Sequence, residues 1–494
     1  MEQKRFYKGL EIESTEVSVL EALENAIGRP IARMRKVDAG TFGFTESGGH
    51  VTGLGLFCMG LRSLPDNIRD LKELKELYLY KNVLNTLPET LGQLPSLQIL
   101  DVHENELTSL PATIGGLKSL QILEIAENKL SSLPETIGGL TSLQHLNVFR
   151  NQLSSLPDSI CLLNSLRTLD VSCNLLSSLP DMIGRLTSLE ELQLNWNHLK
   201  SLPDSIGLLK LLKTLYISDN RLSSLPEAIA GLTSLKKLEL RSNALTSLPD
   251  SIGHLVSLVS LDVSWNGLLL FPESIGSLKS LQDLRAGYNH LTSLPSTMNA
   301  LTSLQKLYLG DNELSLFPEA LTKMTWLQDL NLSHNQLSSI PASIGNIKSL
   351  AHLSLESNAI TSLPDDLCQL QSLQILNLQF NLLISFPVSI GKLISLEWLF
   401  LRGNNLESLP SSIGALRSLQ CLDAGENKLT NLPDTIGQLT ALQTLDLSDN
   451  ILSALPETMV QLTSLKEINL QNNKLNPLPW IINEWFRFRK KHYL

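Results

Sequence analysis

The sequence has few cysteines, no long apolar run and no excess of basic residues. Its cysteines are odd in number and far apart, which argues against a disulfide framework or a zinc ribbon; they are Cys58, Cys161, Cys173, Cys368 and Cys421. No stretch approaches the roughly 18 consecutive apolar residues of a membrane-spanning helix. The charged start leads into no apolar secretion signal, and the net charge of −10 disfavours nucleic acid as a partner. We therefore expect a cytoplasmic protein with reduced thiols and no membrane insertion.

Asparagine recurs at one constant spacing along most of the chain. It stands at Asn82, Asn105 and Asn128 and continues every 23 residues to Asn473, which makes 18 asparagines in phase. One step earlier, the segment from Val51 keeps the apolar pattern without the asparagine. Periods of about 20 to 50 residues are typical of stacked repeats. We therefore predict 19 repeats of 23 residues, covering 51–487.

Each repeat places its apolar residues at fixed positions. In 97–119, Leu100 and Val102 stand at positions 4 and 6 and alternate with polar neighbours, as in a strand. Asn105, at position 9, follows that strand, where its amide can bond to the backbone of its own and the adjacent repeat. One repeat cannot bury its own leucines, so stacked repeats should share one core beneath a parallel sheet.

The second half of each repeat predicts a short helical return. Position 15 is proline in all 19 repeats, from Pro65 to Pro479, and proline suits the first turn of a short helix or 3₁₀ segment. An acid follows it in 13 repeats, which favours the positive end of such a turn. Glycine is frequent at position 19, as in Gly92 and Gly115, where we expect it to stop the helical segment.

The two ends of the array need caps, because a terminal repeat exposes its core. Residues 14–27 predict a helix that ends at Gly28, and 41–44 with 50–54 predict a hairpin that leads into the first repeat strand. At the other end, Trp480, Ile481, Ile482, Trp485 and Phe486 can cover the last repeat. The predicted organisation is a cap at 1–50, repeats at 51–487 and a basic tail at 488–494.

These repeats resemble the leucine-rich repeat family in its 23-residue Leu-Pro-x-x-Ile-Gly variety. The resemblance implies an α/β solenoid, or horseshoe, with a parallel concave β-sheet and short helical or 3₁₀ convex segments. Within the family, the sequence is similar to Ras-pathway scaffolds, to plant intracellular Ras-group-related proteins and to prokaryotic members. It therefore implies a protein partner on the concave sheet, such as a small GTPase or a signalling enzyme.

Catalysis has no obvious place in the chain. About 50 residues precede the repeats and under a dozen follow them, which is too little for a catalytic domain. No phosphate-binding loop, metalloprotease, hydrolase or kinase motif occurs, and the histidines lack metal-ligand spacing. We predict no enzyme activity, cofactor or metal.

The concave face, which comprises positions 2, 3, 5, 7 and 8 of each repeat, should carry the function. It holds 12 of the 25 aromatic residues, and exposed aromatics are favoured as interface anchors. Aromatic side chains also suit strand surfaces in general, so a purely structural explanation stays open. The candidate aromatic anchors are Tyr78, Tyr80, Trp196, Tyr216, Trp265, Tyr288, Tyr308, Phe380, Trp398 and Phe400.

The same face holds 21 acidic and 12 basic residues, which leaves it strongly negative. Acids cluster in repeats 3 and 4, and again in repeats 17 and 18, so like charges lie side by side on adjacent strands. A basic partner would relieve this repulsion, whereas a merely solubilising surface and a metal site are alternatives. The candidate acidic contacts are Asp101, Glu124, Asp423 and Asp446.

The sequence therefore predicts a monomeric, non-catalytic scaffold or adaptor for intracellular signalling that binds a protein on its concave sheet. A module that senses a peptide or small ligand is the second hypothesis. A structural surface protein is the third, and it would require export.

Overall fold

The structure is a computed structural model that describes residues 4–475 together with Trp480 and Glu484. It divides into two compact units, 1–245 and 246–494. Most of the predicted C-terminal cap and the whole basic tail lie outside the described residues. Across the described part of the chain, no helix has the length and apolar character needed to cross a membrane.

The first unit starts with a small two-stranded sheet and an α-helix, and continues into a repeated strand pattern. Its strands are β1 Lys4–Tyr7, β2 Leu10–Glu13, β3 Phe42–Ser47, β4 His50–Leu56, β5 Glu76–Tyr78, β6 Ile99–Asp101, β7 Ile122–Glu124, β8 His145–Asn147, β9 Thr168–Asp170, β10 Glu191–Gln193, β11 Thr214–Tyr216 and β12 Lys237–Glu239. The helix, α1, is Ser14–Ile27. The 3₁₀ segments are Asp66–Asp70, Glu89–Gln93, Ile114–Gly116, Glu135–Gly139, Asp158–Leu162, Ile183–Arg185, Asp204–Leu208 and Glu227–Gly231.

The second unit repeats one strand and one 3₁₀ segment throughout. Its strands are β13 Ser260–Asp262, β14 Asp283–Arg285, β15 Lys306–Tyr308, β16 Asp329–Asn331, β17 His352–Ser354, β18 Ile375–Asn377, β19 Trp398–Phe400, β20 Cys421–Asp423, β21 Thr444–Asp446 and β22 Glu467–Asn469. Its 3₁₀ segments are Asp250–His254, Glu273–Ser277, Ser296–Ala300, Glu319–Lys323, Ala342–Asn346, Asp365–Gln369, Ile390–Lys392, Ser411–Ala415, Asp434–Gln438 and Glu457–Gln461.

Each unit is a solenoid with one parallel strand per repeat, which confirms the predicted α/β class. Strand pairing places the same position of successive repeats side by side. Leu77 lies opposite Leu100 in the first unit, and Leu284 lies opposite Leu307 in the second. Each strand from β5 to β22 covers only positions 3 to 5 of its repeat, and the central residue is buried in all of them except β22. Inter-repeat bonding continues beyond the strand, since Leu79 N donates to Asp101 O at 2.7 Å.

The asparagines form the predicted ladder within each unit. Asn105 Nδ2 donates to Leu79 O in the preceding repeat and to Val102 O in its own, each at 3.0 Å. Its Oδ1 accepts from Leu84 N at 3.0 Å. A buried side-chain amide therefore satisfies backbone groups that the short strand leaves unpaired.

The N-terminal residues fold around α1. The predicted helix is present, with Val17, Leu20 and Leu23 fully buried, and Gly28 ends it with a left-handed φ of 78° and an N–H bond to Glu24 O. Strands β3 and β4 form an antiparallel hairpin, and β4 pairs in parallel with β5, so the hairpin leads into the repeats. The β1–β2 hairpin is not predicted by the sequence pattern.

The predicted role of glycine at position 19 is wrong. Gly92 lies inside a 3₁₀ segment rather than at its end, and position 19 does not have a positive φ. A Cβ on Gly92 would lie 2.2 Å from Thr113 O, and one on Gly115 would lie 2.0 Å from Thr136 O. Glycine is needed there because successive 3₁₀ segments approach each other closely, not because the segment needs a stop.

Candidate functional site

The side of each unit's sheet that faces away from the core presents positions 2, 3, 5, 7 and 8, and we call it the open face. In β11, Leu215 is buried while Thr214 and Tyr216 on either side are half-buried. Parallel pairing without offset then aligns equal positions of successive repeats in rows, such as Tyr78, Asp101 and Glu124. The repeat itself therefore brings side chains from distant parts of the sequence onto one face of each unit.

The predicted site residues lie at open-face positions, with unequal access to solvent. Five aromatic residues are exposed: Trp196, Trp265, Tyr288, Phe380 and Trp398. Most others are half-buried: Tyr78, Tyr80, Glu124, Tyr216, Tyr308, Phe400, Asp423 and Asp446. Asp101 is the exception, because only 4% of it is exposed. Asp101 is predicted from the sequence as a contact residue, but its carboxylate is occupied by bonds from His103 within the chain.

Position 8 has an unusual backbone in every described repeat. Its φ is positive throughout, at 57° for Trp196 and 56° for both Trp265 and Tyr288. A left-handed conformation costs roughly 1–2 kcal/mol for residues other than glycine. These three aromatic side chains nevertheless remain 62%, 47% and 46% exposed. The apolar pattern of the sequence does not predict this left-handed conformation, because position 8 can be occupied by any type of residue.

The first unit carries a ladder of rings at position 7. Phe57 and Tyr80 have ring centroids 5.2 Å apart, and Tyr80 stacks on His103 at 3.7 Å. The Tyr80 hydroxyl donates to Glu104 Oε1 at 2.8 Å, and His103 Nδ1 donates to Asp101 Oδ1. Burial lowers the pKa of His103, but its bond to Asp101 and the nearby acids outweigh burial and raise it. Phe57 and His103 belong to this group of rings although they are not among the residues predicted from the sequence.

The second unit carries an exposed aromatic pair. The rings of Trp265 and Tyr288 stack at 3.9 Å with an angle of 14° between their planes. Gly287 and Gly310 occupy position 7 next to them, and Trp265 N and Tyr288 N donate to their carbonyl oxygens. Stacked rings beside a backbone without side chains form a flat apolar surface that suits contact with another molecule.

Tyr308 differs from these exposed rings because polar neighbours hold it. Its hydroxyl donates to Asp329 Oδ2 at 2.8 Å, and the guanidinium of Arg285 lies over its ring at 5.3 Å. Arg285 also pairs with Asp283 at 3.1 Å. Burial, followed by the Asp329 bond, raises the pKa of Tyr308, so the phenol stays neutral and acts as a donor.

The N-terminal acidic patch consists of Asp101, Glu104, Glu124 and Glu127 at positions 5 and 8 of repeats 3 and 4. Burial, together with the charge of Asp101, raises the pKa of Glu124 despite a bond from Asn147. Glu127 lies 3.5 Å from the exposed Arg150. The charge of Asp101 therefore adds to burial in raising the pKa of Glu124, as expected for acids side by side on adjacent strands.

The C-terminal acidic patch consists of Asp423, Glu426, Asp446 and Asp449 at positions 5 and 8 of repeats 17 and 18. It differs from its N-terminal counterpart because Arg402 lies among the carboxylates. The Arg402 guanidinium reaches Asp423 at 3.1 Å, Glu426 at 2.9 Å and Asp446 at 2.7 Å. Burial opposes the charge of Arg402, yet the carboxylates raise its pKa. The positive charge that the sequence pattern assigns to a basic partner is supplied in this patch by Arg402, which the pattern does not predict.

Gly425 explains how Arg402 fits. A Cβ on Gly425 would lie 2.7 Å from Arg402 Nη2 and 2.8 Å from its Cζ. The sequence does mark the place, since the small pair Ala424 and Gly425 departs from the repeat pattern. That departure makes room for a guanidinium over the backbone.

One group of possible metal ligands lies away from the open face. Glu13, Glu16 and His50 offer ligand atoms within 4.8 Å of one another. Glu16 is fully buried, its Oε2 accepts from Val51 N at 2.6 Å, and its Oε1 bonds His50 Nδ1 at 2.9 Å. Burial raises the pKa of Glu16 although both bonds lower it. These contacts make Glu16 an anchor between α1 and β4.

The family models that match the chain all describe the same kind of repeat. A model of a leucine-rich repeat region matches 119–197 and 232–332, a leucine-rich repeat model matches 314–360, 326–383, 348–406 and 417–475, and a two-copy model matches 210–253. No curated protein matches significantly.

Solved structures of this kind resemble the chain over most of its length. A leucine-rich repeat protein of Leptospira interrogans is 40% identical, with 75% of this chain and 95% of that chain covered and a TM-score of 0.70. YopM from Yersinia enterocolitica is 29% identical, with 86% and 88% covered and a TM-score of 0.62. The plant peptide hormone receptor RGFR1, solved in complex with RGF2, is 30% identical, with 85% and 78% covered and a TM-score of 0.62.

Proposed function

Because the chain belongs to the leucine-rich repeat family, we propose that it is a non-catalytic scaffold or adaptor that binds a partner protein on its open face. The proposal extends to a cytoplasmic location, a monomeric state and a role in signalling. It also extends to a small GTPase or signalling enzyme as partner, in line with the similarity to Ras-pathway scaffolds.

The observation that carries the proposal is the exposure of large aromatic side chains on a strained backbone. Trp196, Trp265 and Tyr288 each leave about half or more of their surface in solvent while the backbone is left-handed. Exposure and strain both cost free energy in the isolated protein. Burial against a partner recovers the hydrophobic contribution, and aromatic residues dominate the energetics of many interfaces.

The partner could also be a peptide, which would make the chain a sensing module. One specific observation favours this second candidate, since RGFR1, a structure similar to this chain, was solved in complex with RGF2. The stacked Trp265–Tyr288 pair beside Gly287 and Gly310 would suit an extended segment. A partner protein and a peptide would both bind to the open face, so a single set of variants tests binding to that face in either case.

The experiment is affinity capture with a variant in which Trp196, Trp265 and Tyr288 are all changed to alanine. We expect it to lose the partners that the wild-type chain captures and to keep its circular dichroism spectrum. A matched control changes Leu316 and Val388, which are 75% and 76% exposed but lie at positions 13 and 16, off the open face. Retention of partners by the aromatic variant, with their loss in the control, would contradict the proposal.

A further inference from the structure

The exposed side chains of the open face continue along the chain beyond position 8. In repeat 15, Phe380, Leu382 and Ile384 at positions 8, 10 and 12 are exposed, whereas the intervening Asn381 and Leu383 are buried. Exposure therefore alternates along this stretch. Positions 10 and 12 extend the open face past the end of each strand, and we call them the rim.

Backbone hydrogen bonds hold the rims of successive repeats in register. Leu382 N donates to Ile360 O at 2.9 Å, and Thr292 N donates to Leu269 O at 3.4 Å. The strands beside them are also paired without offset, from β13 in repeat 10 to β18 in repeat 15. Five strand spacings of about 4.8 Å place the rims of repeats 10 and 15 about 24 Å apart.

Two places on the rim are apolar where most other repeats are polar. Position 12 is serine or threonine in 12 of the 19 repeats, and its only apolar residues are Leu269 and Ile384, which are 56% and 65% exposed. Only four of the 19 repeats have an aromatic residue at position 8, yet both of these repeats do, as Trp265 and Phe380. Exposed apolar groups that cluster in this way mark contact surfaces. We call Trp265 with Leu269 the first apolar site, and Phe380 with Leu382 and Ile384 the second apolar site.

The path between the two apolar sites carries small residues and acids. Position 7 holds Gly287 and Gly310 in repeats 11 and 12, so no large side chain stands there. At positions 7, 8, 10 and 12 of repeats 10–15 the sequence has three acids, Asp311, Glu313 and Glu356, and no lysine or arginine. A basic side chain that lies in this path is therefore complementary to its charge.

We propose that the partner protein lays one extended segment along position 8 and the rim of repeats 10–15. The segment places an apolar side chain at each apolar site and a basic residue between them. Because an extended chain rises about 3.3 Å per residue, the two apolar residues stand about seven residues apart. This proposal rests on the proposed function, since it assigns the part of the open face that the partner occupies and the pattern of the segment that binds there.

The experiment measures the binding of fluorescein-labelled peptides to the full chain by fluorescence anisotropy. Each peptide is a serine chain with one central lysine and two phenylalanines, which stand about four, seven or ten residues apart across the series. We expect the seven-residue spacing to bind about tenfold more tightly than the other two, because those can fill only one apolar site at a time. Replacement of the lysine by glutamate should weaken binding about threefold.

Two rim variants test the assigned contacts. Leu269→Thr and Ile384→Thr introduce at position 12 the residue that Thr292 has there, so we expect both variants to fold. Each should weaken the peptide with the seven-residue spacing about fivefold. Leu175→Ser is the matched control, because Leu175 is 48% exposed on the rim of repeat 6, where position 8 is Cys173. It should leave binding unchanged.

Three results would overturn the proposal. The first is equal binding of the three spacings. The second is tighter binding of an alanine-rich helical peptide whose phenylalanines are about 16 residues apart, since such a helix spans the same distance. The third is a loss of peptide binding in Leu175→Ser as large as that in the two threonine variants.

Partner capture separates this proposal from the function on which it rests. The double variant Leu269→Thr with Ile384→Thr leaves all the exposed aromatic residues in place. If it retains the captured partners, the aromatic triple variant loses them and no peptide binds, the open face remains the binding surface and the rim contact is refuted. If the double variant weakens both the seven-residue peptide and the captured partner, the rim contact is supported. Retention of the partners by both variants would contradict the proposed function itself.

Discussion

Arg402→Ala should destabilise the protein by about 2–3 kcal/mol near neutral pH. Arg402 bonds Asp423, Glu426 and Asp446 at 2.7–3.1 Å, and only 21% of its side chain is exposed. Each exposed pair contributes up to about 1 kcal/mol, and three in one network with a shielded arginine sum to the stated range. The variant also leaves neighbouring carboxylates to repel one another across β20 and β21.

Urea denaturation followed by circular dichroism would measure this loss. Repulsion among exposed carboxylates is screened by salt, so we expect the difference from wild type to shrink at about 0.5 M sodium chloride. Arg285→Ala is the matched control, since Asp283 is the one ion-pair partner of Arg285 among the described residues, and half of the Arg285 side chain is exposed. It should cost less than about 1 kcal/mol.

The loss of stability caused by Arg402→Ala should depend on pH in a definite direction. The pKa of Asp446 is lowered in the folded protein, so its stabilising effect is present above the ordinary aspartate pKa of about 3.9 and disappears as pH falls through the lowered value. The cost of Arg402→Ala should therefore persist at about pH 5 and vanish under strongly acidic conditions. A cost that is below about 0.5 kcal/mol at neutral pH, or equal to that of Arg285→Ala, would refute the assigned ion network.

Three further substitutions test the repeat and one tests charge on the open face. Asn335→Ala should cost about 2–3 kcal/mol in denaturation, because its amide makes three bonds to backbone groups of its own and the preceding repeat; a cost as small as that of an exposed serine would contradict the ladder. Gly115→Ala should lower stability by about 2 kcal/mol through its clash with the next 3₁₀ segment, and an unchanged melting temperature would be inconsistent with that packing. Trp196→Gly should change stability by less than about 1 kcal/mol, since relief of the left-handed strain offsets the added chain entropy; a larger loss would mean that the ring supports the fold. Glu124→Gln should stabilise the chain at neutral pH, because the raised pKa of Glu124 signals an unfavourable charge, and the gain should disappear as pH falls below about 4.3. A loss of stability at neutral pH would reverse that assignment.

Most of the fold follows from periodicity. The constant 23-residue phase predicts the strand, the buried asparagine and the helical return, since each is a local pattern that stacking repeats many times. The wrong role for Gly92 has a clear origin, because its requirement comes from Thr113 in the next repeat rather than from its own segment. Contacts between successive repeats are not visible in the pattern of a single repeat.

Less of the candidate site than of the fold could be predicted from the sequence. Repeat position placed Trp196, Trp265 and Tyr288 on the open face, but not the left-handed backbone that carries them. Counting charges found both acidic patches and missed Arg402, because its side chain reaches across two repeats from position 7. Long side chains that bridge repeats depend on the space that neighbours such as Gly425 leave open.

Hydroxyl-radical footprinting of the chain bound to a captured partner tests the central claim most directly. The radicals label exposed aromatic and aliphatic side chains, and the partner should protect the open-face residues Trp196, Trp265 and Tyr288. Leu316 and Val388 should remain labelled as in the free protein. Protection of Leu316 and Val388, with the three aromatic residues still fully labelled, would show that the partner binds elsewhere and would contradict the account.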